Sequence, residues 1–199
     1  MSSLLVTKDL RYRYATGFEA GPLNLDVGPG LIHLHGPNGS GKTTILRCLC
    51  GGLRRSVGTV EVVGADPRTS VEARRDVAYL PAEPELPEFL TVDEAWQQLA
   101  ALRRRPQWLG HALRGRFGLP GALRLGQCSA GQRRLAELIA AVAGDPKVLL
   151  LDEPFANLDD ARTETLCTVL EEWATDRVVV MTSHLSLPLP VTRVSLEAA

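Results

Sequence analysis

The chain has 199 residues, 45% of them hydrophobic and 23% charged, with a formal net charge of −1. That length holds one good core, or one core with a small subdomain, in the proportions of an ordinary globular protein. The near-zero charge gives no electrostatic basis for binding nucleic acid or an anionic membrane, and no apolar run approaches the ~20 residues that cross a bilayer.

Met1–Lys8 lacks a basic stretch followed by an apolar one, so no signal peptide is expected. Residues 4–30 read as short strand-like pieces around a turn-rich interruption. Arg11-Tyr12-Arg13-Tyr14 precedes a loop at Ala15-Thr16-Gly17. Leu23–Val27 alternates as a half-exposed strand does, and Gly28-Pro29-Gly30 is a turn. The two tyrosines have two readings, strand surface or a π-face for a nucleotide base, and spacing does not choose.

Leu31–Leu34 is an apolar run that reads as a buried strand, and Ile45–Leu49 reads as a helix. Between them, Gly36-Pro37-Asn38-Gly39-Ser40-Gly41-Lys42-Thr43-Thr44 fits G-x-x-x-x-G-K-[ST] at every required position, in the strand–loop–helix context the pattern needs. The glycines let successive N–H groups point at phosphate oxygens. Lys42 adds a point charge for the β- and γ-phosphates, and Thr43 a hydroxyl for Mg2+. A nucleoside triphosphate is the expected ligand.

Gly51-Gly52 closes this helix, Gly58–Gly64 reads as a strand between glycine turns, and Val77–Leu80 is a short apolar run. Pro81–Pro87 holds three prolines and is expected to be irregular. A helix is predicted from Thr91, which forms a capping box with Glu94. Its apolar face is Val92, Ala95, Trp96, Leu99 and Leu102. Residues 86–127 hold six arginines against three acids, an excess of three positive charges. The Arg103-Arg104-Arg105 run reads as a solvated face, with contact to an acidic partner segment as the alternative.

After Cys128-Ser129-Ala130-Gly131-Gln132, a second amphipathic helix carries Leu135, Leu138, Ile139 and Val142 and ends at Gly144-Asp145-Pro146. Ser129 is its expected N-cap, so its free N–H groups make a second anion site. Val148–Leu151 is apolar throughout, as in the centre of a parallel sheet, and ends in Asp152-Glu153. Adjacent carboxylates there repel unless a cation or proton intervenes. Asp152 suits Mg2+, and Glu153 suits a general base that polarises a water. Leu158-Asp159-Asp160 opens a third helix with Leu166, Val169, Leu170 and Trp173 inward. Val178–Met181 is a further buried strand, ending at Thr182-Ser183-His184. His184 is a satisfied polar residue or a site residue at the sheet edge where ligands bind. The cysteines at 48, 50, 128 and 167 form no C-x-x-C pair and suit a reduced, cytoplasmic setting.

Taken together these motifs resemble, in order and over essentially the whole chain, the ATP-binding subunits of ABC transporters. Gly36–Thr44 resembles the Walker A loop, Cys128–Gln132 the signature motif, and Leu149–Pro154 the Walker B strand with its catalytic glutamate. Asn157-Leu158-Asp159 resembles the D-loop, His184 the switch histidine, and Tyr14 the aromatic that stacks on adenine. The resemblance implies an α/β P-loop fold with a mainly parallel sheet, a small antiparallel β part near the N-terminus and an inserted helical subdomain. It implies one domain, with residues 1–81 and 141–199 as nucleotide-binding core and 82–140 as helical subdomain. It further implies ATP and Mg2+, the latter at Thr43 and Asp152, with Glu153, His184 and Lys42 catalytic. Ser129, Gly131, Gln132 and Asp159 are implied to complete the site of a second chain in a head-to-tail dimer around two ATP. The partner is implied to be a separate membrane permease, which keeps this chain peripheral on the inner face.

Two features depart from or narrow the resemblance. The glutamine expected after Tyr79-Leu80-Pro81 is Ala82, which touches neither Mg2+ nor the attacking water; Glu83 is the candidate substitute, and a slow ATPase is expected. Ser129-Ala130-Gly131-Gln132 with Arg133-Arg134, and Asp152–Phe155, resemble the ATPase subunit of the haem exporter of cytochrome c maturation, though short exporter ATPases with other cargo share most of this. With fifteen residues following His184 and no sign of a regulatory C-terminal domain, export is the expected direction. The alternatives are a soluble ABC ATPase in complex assembly and a slow ATP sensor.

Overall fold

The structure, a computed structural model, describes residues 3–103, 108–185 and 188–196. Its centre is a five-stranded parallel sheet. The strands are β3 (Gly30–His35), β5 (Val77–Leu80), β6 (Val148–Leu151), β7 (Val178–Met181) and β8 (Val191–Ser195), in the order β5-β6-β7-β3-β8. β6 and β7 are buried at every position because the sheet is covered on both faces. Alternate residues feed two cores. Leu149, Leu151, Val179 and Met181 pack on one face, and Val148, Leu150, Val178 and Val180 on the other. Each such side chain contributes about 1.5–3 kcal/mol by leaving water.

The second face is covered by α1 (Lys42–Leu49) and by an antiparallel sheet of β1 (Leu5–Arg13), β2 (Glu19–Val27) and β4 (Val57–Val62), ordered β2-β1-β4. Between β4 and β5 lies the one-and-a-half-turn helix α2 (Val71–Arg75). The first face carries α3 (Val92–Arg103), α4 (Trp108–Arg116), α5 (Ala130–Val142) and α6 (Asp160–Trp173), with a short 3₁₀ turn at Leu125–Gln127 ahead of α5. The predicted capping box at Thr91 forms. Its amide donates to Glu94 Oε2 at 2.8 Å, and the Glu94 amide donates back to Thr91 Oγ1 at 3.2 Å. No helix among the described residues is long and apolar enough to cross a membrane.

Several expectations are corrected. Leu102 is 76% exposed, and Ala100 takes its place in the buried stripe of α3. Arg103 is no solvated residue. Its guanidinium donates to the carbonyls of Ala141 and Ala143 at the C-terminal end of α5, 2.7 Å for the latter, and to that of Val77. Burial pulls its pKa down to about 10, so it stays charged at neutral pH and complements the helix dipole. Arg104 and Arg105 lie outside the described residues. Gly30 opens β3 rather than closing a turn, and α2, α4 and β8 arise where no element was expected.

Candidate nucleotide site

β3, β6 and β7 end side by side, so the loops that follow them converge at one sheet edge, where open α/β sheets bind ligands. The loop after β3 curls because Gly39 and Gly41 take left-handed backbone, φ +80° and +92°. Gly41 also packs where a Cβ would fall 2.5 Å from that of Ala20. It leads into α1 with no side-chain cap, leaving first-turn N–H groups for a ligand. Lys42 Nζ donates to the carbonyls of Gly36 (2.8 Å) and Pro37 (2.9 Å), arching over its own loop. Ser40 Oγ is buried there with no hydrogen-bond partner among the described residues.

The two carboxylates avoid each other by facing different partners. Asp152, 3% exposed, accepts from Thr43 Oγ1 at 2.6 Å and from Thr182 Oγ1 at 2.7 Å. Glu153 accepts from the His184 amide at 3.3 Å, and its other oxygen lies 3.5 Å from His184 Nε2. Its own amide donates to Thr182 Oγ1 at 2.9 Å, holding a left-handed backbone, φ +52°, that is strained for a glutamate. Strain of this kind persists where the surroundings fix a functional group. A cavity of about 400 Å³ opens between these groups, lined by Phe18, Asn38, Gly39, Gly41–Thr44, Ala82, Asp152, Glu153 and His184.

Thr43 and Asp152 present two hard oxygens in contact at the cavity wall, a donor set that fits Mg2+, which takes one or two protein ligands beside phosphates and water. Gly36, Pro37, Ser40 and Thr44 shape the loop, and Thr44 Oγ1 shares a 2.9 Å hydrogen bond with Tyr14 OH. Tyr14 stands edge-on to Tyr12 and outside the cavity lining; the ring that lines it is Phe18. Sequence reasoning missed Phe18, whose signal was its position just past the loop at Ala15-Thr16-Gly17. Ala82 does line the cavity, whereas Glu83 is exposed and absent from the lining.

Sequence reasoning also missed Arg134. It is 4% exposed and donates to the carbonyls of Pro81, Ala82 and Asp152, tying α5 to the segment after β5 and to the end of β6. Burial lowers its pKa, opposed by the nearby carboxylates of Glu137, Asp152 and Glu153. The available signal was a charge on the same stripe as Leu138, one turn along.

Ser129, Gly131 and Gln132 lie away from this cavity. Ser129 caps α5 as expected and forms a full capping box. Its Oγ accepts from the Gln132 amide at 3.2 Å, and Gln132 Oε1 accepts from the Ser129 amide at 2.9 Å. The Ser129 hydroxyl proton stays available to a ligand. Asp159 caps α6, accepting from the Arg162 amide at 2.8 Å and pairing with the Arg162 side chain, and it too stands apart from the cavity.

The sequence model of the family described as "ABC transporter" matches residues 21–156. An uncharacterized ABC transporter ATP-binding protein of Mycobacterium tuberculosis is 35% identical, over 97% of this chain and 64% of that protein. A probable multidrug ABC transporter ATP-binding protein of Escherichia coli is 34% identical over 81% of this chain and 29% of its own length. The molybdenum import ATP-binding protein of Aromatoleum aromaticum is 33% identical, over 94% and 50%. The chain thus spans less than two thirds of the curated relatives it matches. Among solved structures, an ATP-binding subunit of an ABC transporter superposes with a TM-score of 0.82 at 24% identity, over 92% of this chain and 80% of its own. A putative ABC transporter ATP-binding protein of Pyrococcus furiosus gives 0.81 at 21%, over 96% of both. With the phosphate-binding loop, the paired carboxylates and the capped signature helix in the family's order, the chain belongs to the ABC transporter family.

Proposed function

We propose that this chain is the ATP-binding and ATP-hydrolysing subunit of a transporter whose membrane permease is a separate chain. The observation that carries the reading is the convergence of Lys42, Thr43, Asp152, Glu153 and His184 on one cavity behind a phosphate-binding loop. ATP places its phosphates on the N–H groups of Asn38–Thr44, and Lys42 turns its ammonium from its own loop carbonyls to the β- and γ-oxygens. Mg2+ held by Thr43 and Asp152 would neutralise charge at the bond that breaks. Glu153 takes the proton of the attacking water, and His184, already in contact with it, fixes its orientation and donates toward the γ-phosphate. The Phe18 ring faces the base.

A second subunit supplies the groups one chain lacks. Ser129 and the free first-turn N–H groups of α5, Gly131 among them, cap the γ-phosphate held by the loop of its partner, with Gln132 and Asp159 alongside, so two ATP molecules are enclosed head-to-tail. Residues 1–81 and 141–199 act as the nucleotide-binding core. Residues 82–140 act as the helical subdomain that carries movement to the permease. A groove of about 300 Å³ between β5 and α3, lined by Leu80, Leu86 and Leu99 among others, is the place we assign to a permease segment. The chain works at the cytoplasmic face of the membrane, held there by its permease. We infer export from the likeness of Ser129–Arg134 and Asp152–Phe155 to the haem exporter subunit.

Glu153→Gln tests the catalytic assignment. The amide accepts no proton from water, so turnover falls at least about a hundredfold while an ATP-dependent dimer accumulates, read by light scattering. Normal turnover in this variant removes Glu153 from the mechanism. Recovery of a polytopic membrane protein with the tagged chain from detergent-solubilised membranes tests the permease, and vesicle transport assays test direction.

A further inference from the structure

A second cavity, of about 220 Å³, lies behind the phosphate-binding loop, lined by His33, His35, Gly36, Lys42, Ser183, His184 and Arg193 beside four apolar residues. No carboxylate lines it. It arises from sheet register. His33 and Arg193 are in-register partners on the parallel strands β3 and β8, and His35 follows two residues on along the same face. Leu31, Met181 and Val191 form the apolar floor of that face, so the polar groups gather at its rim. His33 Nε2 donates to the Ser183 carbonyl at 3.2 Å, and its ring meets that of His35 edge-on at 5.7 Å. Burial, with His35 and Arg193 close by, pushes the His33 imidazole toward its neutral form. Arg193 is exposed and has no carboxylate partner among the described residues.

This chamber and the nucleotide cavity share two wall residues, Lys42 and His184. Both face the place where the γ-phosphate sits in the reading above. On the nucleotide side stands Glu153, paired with His184. On the far side stand only neutral or cationic groups. We propose that this chamber is a tetrahedral-oxyanion site which receives the inorganic phosphate released by hydrolysis, passing between Lys42 and His184 and leaving along Arg193. The inference rests on the ATPase assignment. Once Glu153 has passed to solvent the proton it took from the water, its carboxylate and the product dianion repel each other, whereas Lys42 and Arg193 offer positive charge and, with His35, hydrogen-bond partners. The volume is ample for a hydrated tetrahedral ion, one water occupying about 30 Å³ of liquid.

Arg193→Ala and His35→Ala test the proposal, because neither residue lines the nucleotide cavity; Arg193→Lys keeps the charge. Two measurements are made on the full chain. Calorimetric titration of inorganic phosphate into the ADP-saturated protein reads free oxyanion binding, which both alanine variants weaken at least about tenfold and Arg193→Lys restores in part. Rapid quench of ATP cleavage alongside a fluorescent phosphate sensor reads the product. Cleavage stays at the wild-type rate, while release lags it several-fold more in Arg193→Ala than in wild type. Release unchanged in both alanine variants overturns the proposal, even where free phosphate binding is lost. Absence of cleavage in the wild-type chain overturns the ATPase reading instead, and the titration then decides the oxyanion site alone: unchanged phosphate binding in both variants sinks it.

Discussion

Phe18 and Tyr14 sit four residues apart around one loop yet meet different atoms. Tyr14 spends its hydroxyl on Thr44 in the phosphate-binding helix and its ring edge on Tyr12, while Phe18 turns its ring to the cavity. A base stacked on an aromatic ring gains about 1–3 kcal/mol. Phe18→Ala is therefore expected to weaken ATP binding roughly fivefold to a hundredfold, and Tyr14→Phe only about twofold to threefold, measured with a fluorescent ATP analogue. The reverse order returns the stacking role to Tyr14. At Ala82 a methyl faces the same cavity, on a backbone pinned by Arg134. Ala82→Gln adds a donor and acceptor to the wall of that cavity, where the proposed mechanism has a water attack. One net hydrogen bond is worth about 1 kcal/mol, so kcat is expected to rise about fivefold. Unchanged turnover would mean that water positioning at this place does not limit the rate.

At the scale of elements, α5 joins the two halves of the proposed mechanism. Its N-terminal turn carries Ser129 and Gly131, its interior carries Arg134, and its C-terminal end receives Arg103. Gly131 is buried because the loop before α6 crosses it: a Cβ there would fall 2.5 Å from the Asn157 carbonyl and 3.6 Å from Leu158. Gly131→Ala forces that loop off α5, and Asn157 already holds a left-handed backbone, φ +63°. The expected outcome is a loss of about 1–3 kcal/mol of stability, seen as a lower Tm, together with weaker ATP-dependent dimerisation at unchanged monomer affinity for ATP. A drop in monomer affinity instead would place Gly131 in the chain's own nucleotide cavity. The strands β6 and β7 were readable in sequence because burial on both faces leaves an uninterrupted apolar run, and α5 and α6 because a cap precedes a periodic stripe. β8 was not, since an edge strand with three exposed residues of five shows no alternation of its own, and its pairing with β3 is a long-range fact. α2 is too short for a period to show. The loop, carboxylates and signature were readable as motifs. The placement of Phe18 and Arg134 was not, because each depends on which neighbour a fold brings near.

For the whole molecule, the separation between Ser129 and the chain's own cavity has a consequence that mixing subunits exposes. In the proposed mechanism, Lys42→Ala removes the charge that holds the γ-phosphate, and Ser129→Arg blocks the cap. In a head-to-tail dimer of two identical chains each variant alone has two broken sites and no ATPase activity. A mixed dimer has one site broken twice and one intact, made from Lys42 of the Ser129→Arg chain and Ser129 of the Lys42→Ala chain. Equal mixing puts half of all dimers in the mixed form, so about a quarter of wild-type activity is expected to return when the sites act independently. A site complete within one chain predicts otherwise: Ser129→Arg retains activity by itself, and mixing adds nothing. Two silent variants that stay silent when mixed mean either that the two sites of identical chains work only together or that the partner is a second, different ATP-binding subunit. Co-purification of wild-type chains with two different tags separates the two.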